Sequence, residues 1–147
     1  MKRVSGFLLY FYTLLLIYSM FIGFSGFSRI PSEEYKYNFI PFQTISLYFT
    51  YYDHFPLWTW LINLAGNIGV FVPFGLLLPT VFPKLQHLLS FLVVFMFCIT
   101  ILESLQLLLR LGSFDVDDIL LNTIGALLGY LIFKIVKKRS NPRGSES

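Results

Sequence analysis

LWTWLINLAGNIGVFVPFGLLLPTVF, residues 57–82, decides what kind of fold this chain adopts. No charged side chain occurs anywhere from 55 to 83. The run therefore exceeds the roughly 20 apolar residues that a helix needs to cross the hydrocarbon of a bilayer. Two asparagines interrupt its apolarity, Asn63 and Asn67, four residues apart and hence on one helical face. Gly66, Pro73, Gly75 and Pro79 add geometry, and Pro73 predicts a kink near the middle of the span.

Working outward, three further stretches read in the same way. Residues 4–28 carry no charge and follow Lys2 and Arg3, which predicts a helix over about 5–27. Its apolar run, 6–27, is longer than the about 7–15 residues of a cleaved signal peptide, so a retained anchor is expected. A helix is expected over 88–110 with Glu103 inside it, and another over 117–136, flanked by aspartates at one end and Lys134 near the other. The expectation is an all-α polytopic membrane protein, one domain over 1–147, with four transmembrane helices. A solvated tail follows at 137–147.

Composition agrees with this reading. The chain has 147 residues, of which 56% are hydrophobic, 19% aromatic and only 13% charged, against about 25% charged in soluble domains. A soluble enzyme and a disordered chain are both disfavoured. The net charge of +3 does not point to nucleic acid, because the basic residues lie mainly at the chain ends. With the N-terminus inside, Lys2, Arg3, Lys84, Lys134, Lys137, Lys138, Arg139 and Arg143 fall on the cytoplasmic side, and Arg29, Lys36 and Arg110 outside. That imbalance predicts cytoplasmic N- and C-termini. Cys98 alone can build neither an internal disulfide nor a multi-cysteine zinc site, and His54 and His87 fall on opposite sides of the membrane.

The connection over 29–56 contains NFIPFQTI (38–45) and LYFTYYDHF (47–55). Its aromatic density fits the headgroup boundary, either as a plain aromatic belt or as a segment dipping into the outer leaflet.

Polar groups placed in hydrocarbon are costly, so their positions carry the functional signal. Glu103, Gln106 and Arg110 have i, i+3, i+7 spacing, and Asp115, Asp117 and Asp118 precede Asn122 on the last helix. At 1.5 Å per residue these sets, with Asn63 and Asn67, fall in the outer half of the membrane. A pocket open to the outside follows from that asymmetry. Arg110 would clamp a phosphate or carboxylate. Asn63, Asn67, Gln106 and Asn122 would donate hydrogen bonds to ligand oxygens. Asp115 and Asp118 offer oxygen ligands to a divalent cation. The plainer alternative is hydrogen bonding between helices, with Asp117 or Asp118 capping the last one. Gly125-x-x-x-Gly129 reads as a close-packing face.

NFIPF (38–42), NLAGNIGVFVPFG (63–75), ESLQLLLR (103–110) and DVDDILLNTIGALLG (115–129) occur in this order, and together they resemble the VanZ-like family of small bacterial membrane proteins. A bulky Phe114 before the aspartates departs from the pattern. The resemblance implies a polytopic bacterial plasma-membrane protein, in a family named for a member linked to low-level teicoplanin resistance. Positions matching its motifs are Asn63, Asn67, Pro73, Glu103, Gln106, Arg110, Asp115, Asp118 and Asn122.

Three functions are then in competition. The first is a cell-envelope protein that binds an anionic lipid or lipid-linked ligand in the outward pocket. The second is an intramembrane enzyme acting on a polyprenyl-phosphate-type substrate, with Glu103 as general acid/base and Asp115 and Asp118 holding a divalent metal. The third is a small transporter, which an almost purely hydrocarbon inner half disfavours. A homo-oligomer would still allow a transport path that one chain does not show.

Overall fold

The computed structural model describes residues 2–24, 27–28, 31–51 and 57–140, without the side chains of 24, 27–28 and 57–62. Arg29, His54, residues 52–56 of the aromatic connection and the tail from 141, Arg143 included, lie outside the described residues. In chain order the elements are α1 (Lys2–Phe21), β1 (Gly23–Phe24), β2 (Phe27–Ser28), β3 (Lys36–Asn38), α2 (Gln43–Thr50) and α3 (Leu57–Val81). A short 3-10 turn over Pro83–Gln86 leads to α4 (Leu88–Leu108), β4 (Ser113–Asp115) and α5 (Val116–Ser140). The architecture is all-α, and α1, α3, α4 and α5 each supply a stretch long and apolar enough to cross a membrane.

Two helix ends differ from the sequence expectation, each for a local backbone reason. α1 stops at Phe21, short of 27, because Gly23 turns the chain at φ 94° into the β1–β2 hairpin. α4 ends at Leu108, short of 110. Arg110 takes the left-handed conformation at φ 56°, its N–H bonds the Leu107 carbonyl at 3.0 Å, and the Leu111 N–H reaches the Gln106 carbonyl at 2.9 Å. This is the paired-bond helix stop usually built on glycine, made here with an arginine. At the other end of the chain, Lys137, Lys138 and Arg139 lie in the last turn of α5, where cations complement the helix dipole.

α3 and α5 make the closest interface of the fold. A Cβ on Gly125 would overlap the Ile68 carbonyl, one on Gly129 the Val72 carbonyl, and one on Gly75 the Ala126 carbonyl. Only glycine lets these backbones touch, which is how helices gain packing energy where no hydrophobic effect separates them from lipid. Phe71, Phe74, Phe91, Phe95 and Tyr130 fill the rest of the buried core, with Phe91 stacked on Tyr130 at 4.8 Å. α1 joins through Tyr12, whose ring meets Phe74 at 5.3 Å and whose hydroxyl donates to the Val70 carbonyl at 2.9 Å.

Two features within the 29–56 connection have no counterpart in the sequence reading. One is the short helix α2. The other is the parallel pairing of β3 with β4, in register Lys36 to Ser113, Tyr37 to Phe114 and Asn38 to Asp115. Phe39 packs on Phe114 at 5.3 Å beside this pair, so the bulky residue before the aspartates anchors the connection.

Candidate functional site

The start of α5 organises one end of the bundle. Asp115 is the last residue of β4 and precedes the first turn of the helix, and its Oδ1 accepts the Asp117 N–H at 2.9 Å, an N-cap bond. The same carboxylate takes a proton donor from each side of the NFIPF segment. Asn38 Nδ2 donates to Oδ1 at 3.3 Å, and the Thr44 hydroxyl donates to Oδ2 at 2.5 Å. Asn38 also donates to Thr44 Oγ1 at 3.1 Å, and its carbonyl oxygen accepts the Ile40 N–H at 3.0 Å, which fixes the loop before α2.

Asp117 is fully buried and works on a different helix from its own. Its Oδ1 accepts the Phe42 N–H at 2.5 Å and its Oδ2 the Ile45 N–H at 3.0 Å. Phe42 is the N-cap residue of α2, held left-handed at φ 65°, and has no side chain able to cap. The cap is thus supplied from α5 across more than 70 residues of sequence, satisfying N–H groups that the first turn leaves open.

Asp118 points into the space between α2, α3 and α5, where Asn67 Nδ2 donates to its Oδ1 at 2.5 Å. A polar cavity of about 120 Å³ lies here, and Thr44, Tyr48, Asn63, Ser113, Asp115 and Asp118 are among its walls. Burial first, then the negative charges of Asp118 and Asp115, push the Tyr48 phenol above its ordinary pKa. It stays protonated. Among the described residues, the donors that meet the three aspartates are amides, a hydroxyl and backbone N–H groups, all neutral. The cavity therefore has an acceptor-rich, negatively charged lining.

Of the residues singled out by sequence, the structure brings Asn63, Asn67, Asp115 and Asp118 together at this cavity. Asn122 lies one turn below Asp118 on the same face, 2% exposed, and its Oδ1 accepts no hydrogen bond among the described residues. Glu103 and Gln106 are buried on α4, with Gln106 donating to the Met20 carbonyl at 3.0 Å, and neither is among the cavity walls. Arg110 is not among the cavity walls either. Because α4 stops before it, its exposed guanidinium turns to the loop, 4.5 Å from the Tyr35 ring centre and 3.4 Å from the Glu33 carbonyl and Tyr35 hydroxyl. Among the described residues no group of three or more His, Cys, Asp or Glu side chains is arranged to hold a metal ion; Asp115 and Asp118 supply two carboxylates at the cavity.

Asn38, Thr44, Tyr48 and Ser113 were not singled out as site residues by sequence, and Asp117 was named only within the aspartate cluster and as a cap for its own helix. For Asn38 the signal was present in NFIPF, where an asparagine opens a motif of apolar residues. Its partner, 77 positions away, is not visible in any local pattern.

The family model described as VanZ/LLP1 matches residues 8–137 of the chain. Protein VanZ of Enterococcus faecium is 31% identical over 81 residues, covering 55% of this chain and 50% of that protein. The chain thus matches about half the length of this curated relative. No solved structure matches.

Proposed function

We propose, since this chain belongs to the VanZ/LLP1 family and is a multi-pass membrane protein, that it binds the head of an anionic lipid or lipid-linked molecule at the α2–α3–α5 cavity. The observation that carries the reading is the meeting of Asp115, Asp118, Asn67, Thr44 and Tyr48, from four separate elements, around a small polar space at one end of an apolar bundle. Polar and ionisable side chains at such depth are retained for binding or transport more often than for packing.

The charge pattern narrows the ligand. Carboxylates in the walls favour hydrogen-bond donors, so a hydroxyl or ammonium group enters the cavity. The phosphate of the same molecule stays at the rim. There Lys36 pairs with Ser113, a wall residue, and Arg110 precedes Ser113 by three residues, within about 11 Å of extended chain. Arg110 supplies the planar donor fork that suits a phosphate. A phosphate entering the cavity itself needs a divalent cation between it and Asp115 and Asp118. Through this binding the protein changes the susceptibility of its host to teicoplanin-type glycopeptides, the role that family membership implies.

Lipid recovery tests the reading. Wild type, Asp118→Asn and Arg110→Gly are extracted from the same bacterial membranes and their bound lipids weighed by mass spectrometry. Glycine suits the left-handed backbone at 110, so that variant removes the guanidinium and keeps the turn. A phosphate-bearing lipid is expected with wild type and is expected to fall about tenfold in each variant, the loss of one charge-assisted contact. Equal recovery from all three contradicts the reading.

A further inference from the structure

Away from the polar cavity, α1, α3 and α4 enclose a larger space of about 460 Å³. Its walls include Leu9, Leu16, Phe71, Phe74, Val94 and Ile99. On α3 it runs from Phe71 to Leu78 and then to Phe82 just past the helix end, whereas the polar cavity touches α3 at Asn63 and Leu64, so the two lie in different halves of the bundle. Its height follows from the helical rise. From Leu9 to Ile17 along α1 is about 12 Å, and from Phe71 to the end of α3 at Val81, beside the wall residue Phe82, about 15 Å, close to half of the roughly 30 Å hydrocarbon thickness. One leaflet's acyl chain has that reach.

The lining excludes a polar occupant. Its one hydroxyl, that of Thr13, donates to the Leu9 carbonyl at 2.7 Å and is spent within α1. The space is also continuous with the lipid-facing surface, since the wall residues Ile17, Val94, Ile101 and Phe82 are 41%, 41%, 42% and 49% exposed. At the mouth the charge changes. Phe82 is followed two residues later by the exposed Lys84, and α1 begins with the exposed Lys2 and Arg3 at the same end. Basic side chains clustered at a membrane surface attract anionic headgroups.

We infer that this space holds one acyl chain of an anionic glycerophospholipid from the leaflet on the Lys84 side, with the lipid phosphate at Lys84. The site is separate from the polar cavity and does not depend on the function proposed for it.

The probe is phosphatidylglycerol mixed equally with phosphatidylcholine in vesicles holding the purified protein. After mild detergent extraction, native mass spectrometry counts the lipids retained per chain. Val94→Trp puts an indole across the mouth from an exposed, lipid-facing position. Leu128→Trp puts one on the exposed face of α5 as a control for surface bulk. One phosphatidylglycerol is expected on wild type and on Leu128→Trp. Val94→Trp should lower its occupancy about tenfold, the factor for losing the burial of roughly two methylenes. Lys84→Gln should retain lipid but no longer prefer phosphatidylglycerol to phosphatidylcholine. The count is repeated in an Asp118→Asn background, so that lipid held at the polar cavity is scored apart from lipid held here. Equal retention by Val94→Trp and Leu128→Trp overturns the inference, as does wild type that carries no lipid or takes both headgroups equally.

Discussion

Asp117 and Arg110 show how single side chains set the shape of the polar end. Asp117 caps α2 from another helix, and its two acceptors meet the Phe42 and Ile45 N–H groups. Asp117→Asn keeps the volume but turns one acceptor into a donor facing an N–H. A loss of about 2 kcal/mol is expected, in the range of a lost cap and an unsatisfied buried donor. Hydrogen exchange at the Phe42 and Ile45 amides checks it: both should exchange faster in the variant while the amides of α4 are unchanged. Arg110 occupies a left-handed position that favours glycine. Arg110→Gly should therefore unfold later than Arg110→Val in a thermal melt in detergent, by about 1–2 kcal/mol, because valine keeps the strained Cβ and branches it, whereas glycine removes it. Neither role is visible in the sequence. An arginine carries no signal for a left-handed turn, and an aspartate so close to Asp115 looks like a cap for its own helix.

At the scale of elements, α3 and α5 depend on small residues at three points of contact. Gly125→Ala and Gly129→Ala each force a methyl group into a backbone carbonyl of α3, and a loss of about 1–3 kcal/mol is expected for overpacking. Gly66→Ala and Gly69→Ala meet nothing within 4 Å and should be neutral or stabilising by up to about 1 kcal/mol through helix propensity. Unfolding of the four variants in parallel separates the two classes. The spacing of Gly125 and Gly129 is enough to announce a close-packing face, and the length of each apolar run is enough to announce a span, because hydrocarbon imposes both requirements locally. The β3–β4 pair and α2 were not legible. Three residues of strand on each side, joined across about 77 positions, leave no periodicity to read.

For the whole molecule, depth arithmetic groups Asn63, Asn67, Glu103, Gln106, Arg110, Asp115, Asp118 and Asn122, and the structure brings Asn63, Asn67, Asp115 and Asp118 of these together at the cavity, because side chains at similar heights on neighbouring helices meet when the bundle closes. It grouped Arg110 with them too, and the structure leaves Arg110 off the cavity walls, since rise per residue holds only while the helix continues. The distribution of Lys and Arg predicts that both termini face the cytoplasm. Single cysteines introduced at Ser5 and Ser140 of a Cys98→Ser chain should both resist a membrane-impermeant maleimide in intact cells and react after lysis. Labelling of either in intact cells reverses the assignment of sides.

The most direct measurement of lipid-head binding replaces Tyr48, in the cavity wall, with the photoreactive benzoylphenylalanine in cells grown on radiolabelled phosphate. Illumination should attach a phosphate-labelled lipid to the protein, and Asp118→Asn in the same chain should diminish that adduct. Cross-links to protein alone, or a lipid adduct indifferent to Asp118, contradict the account.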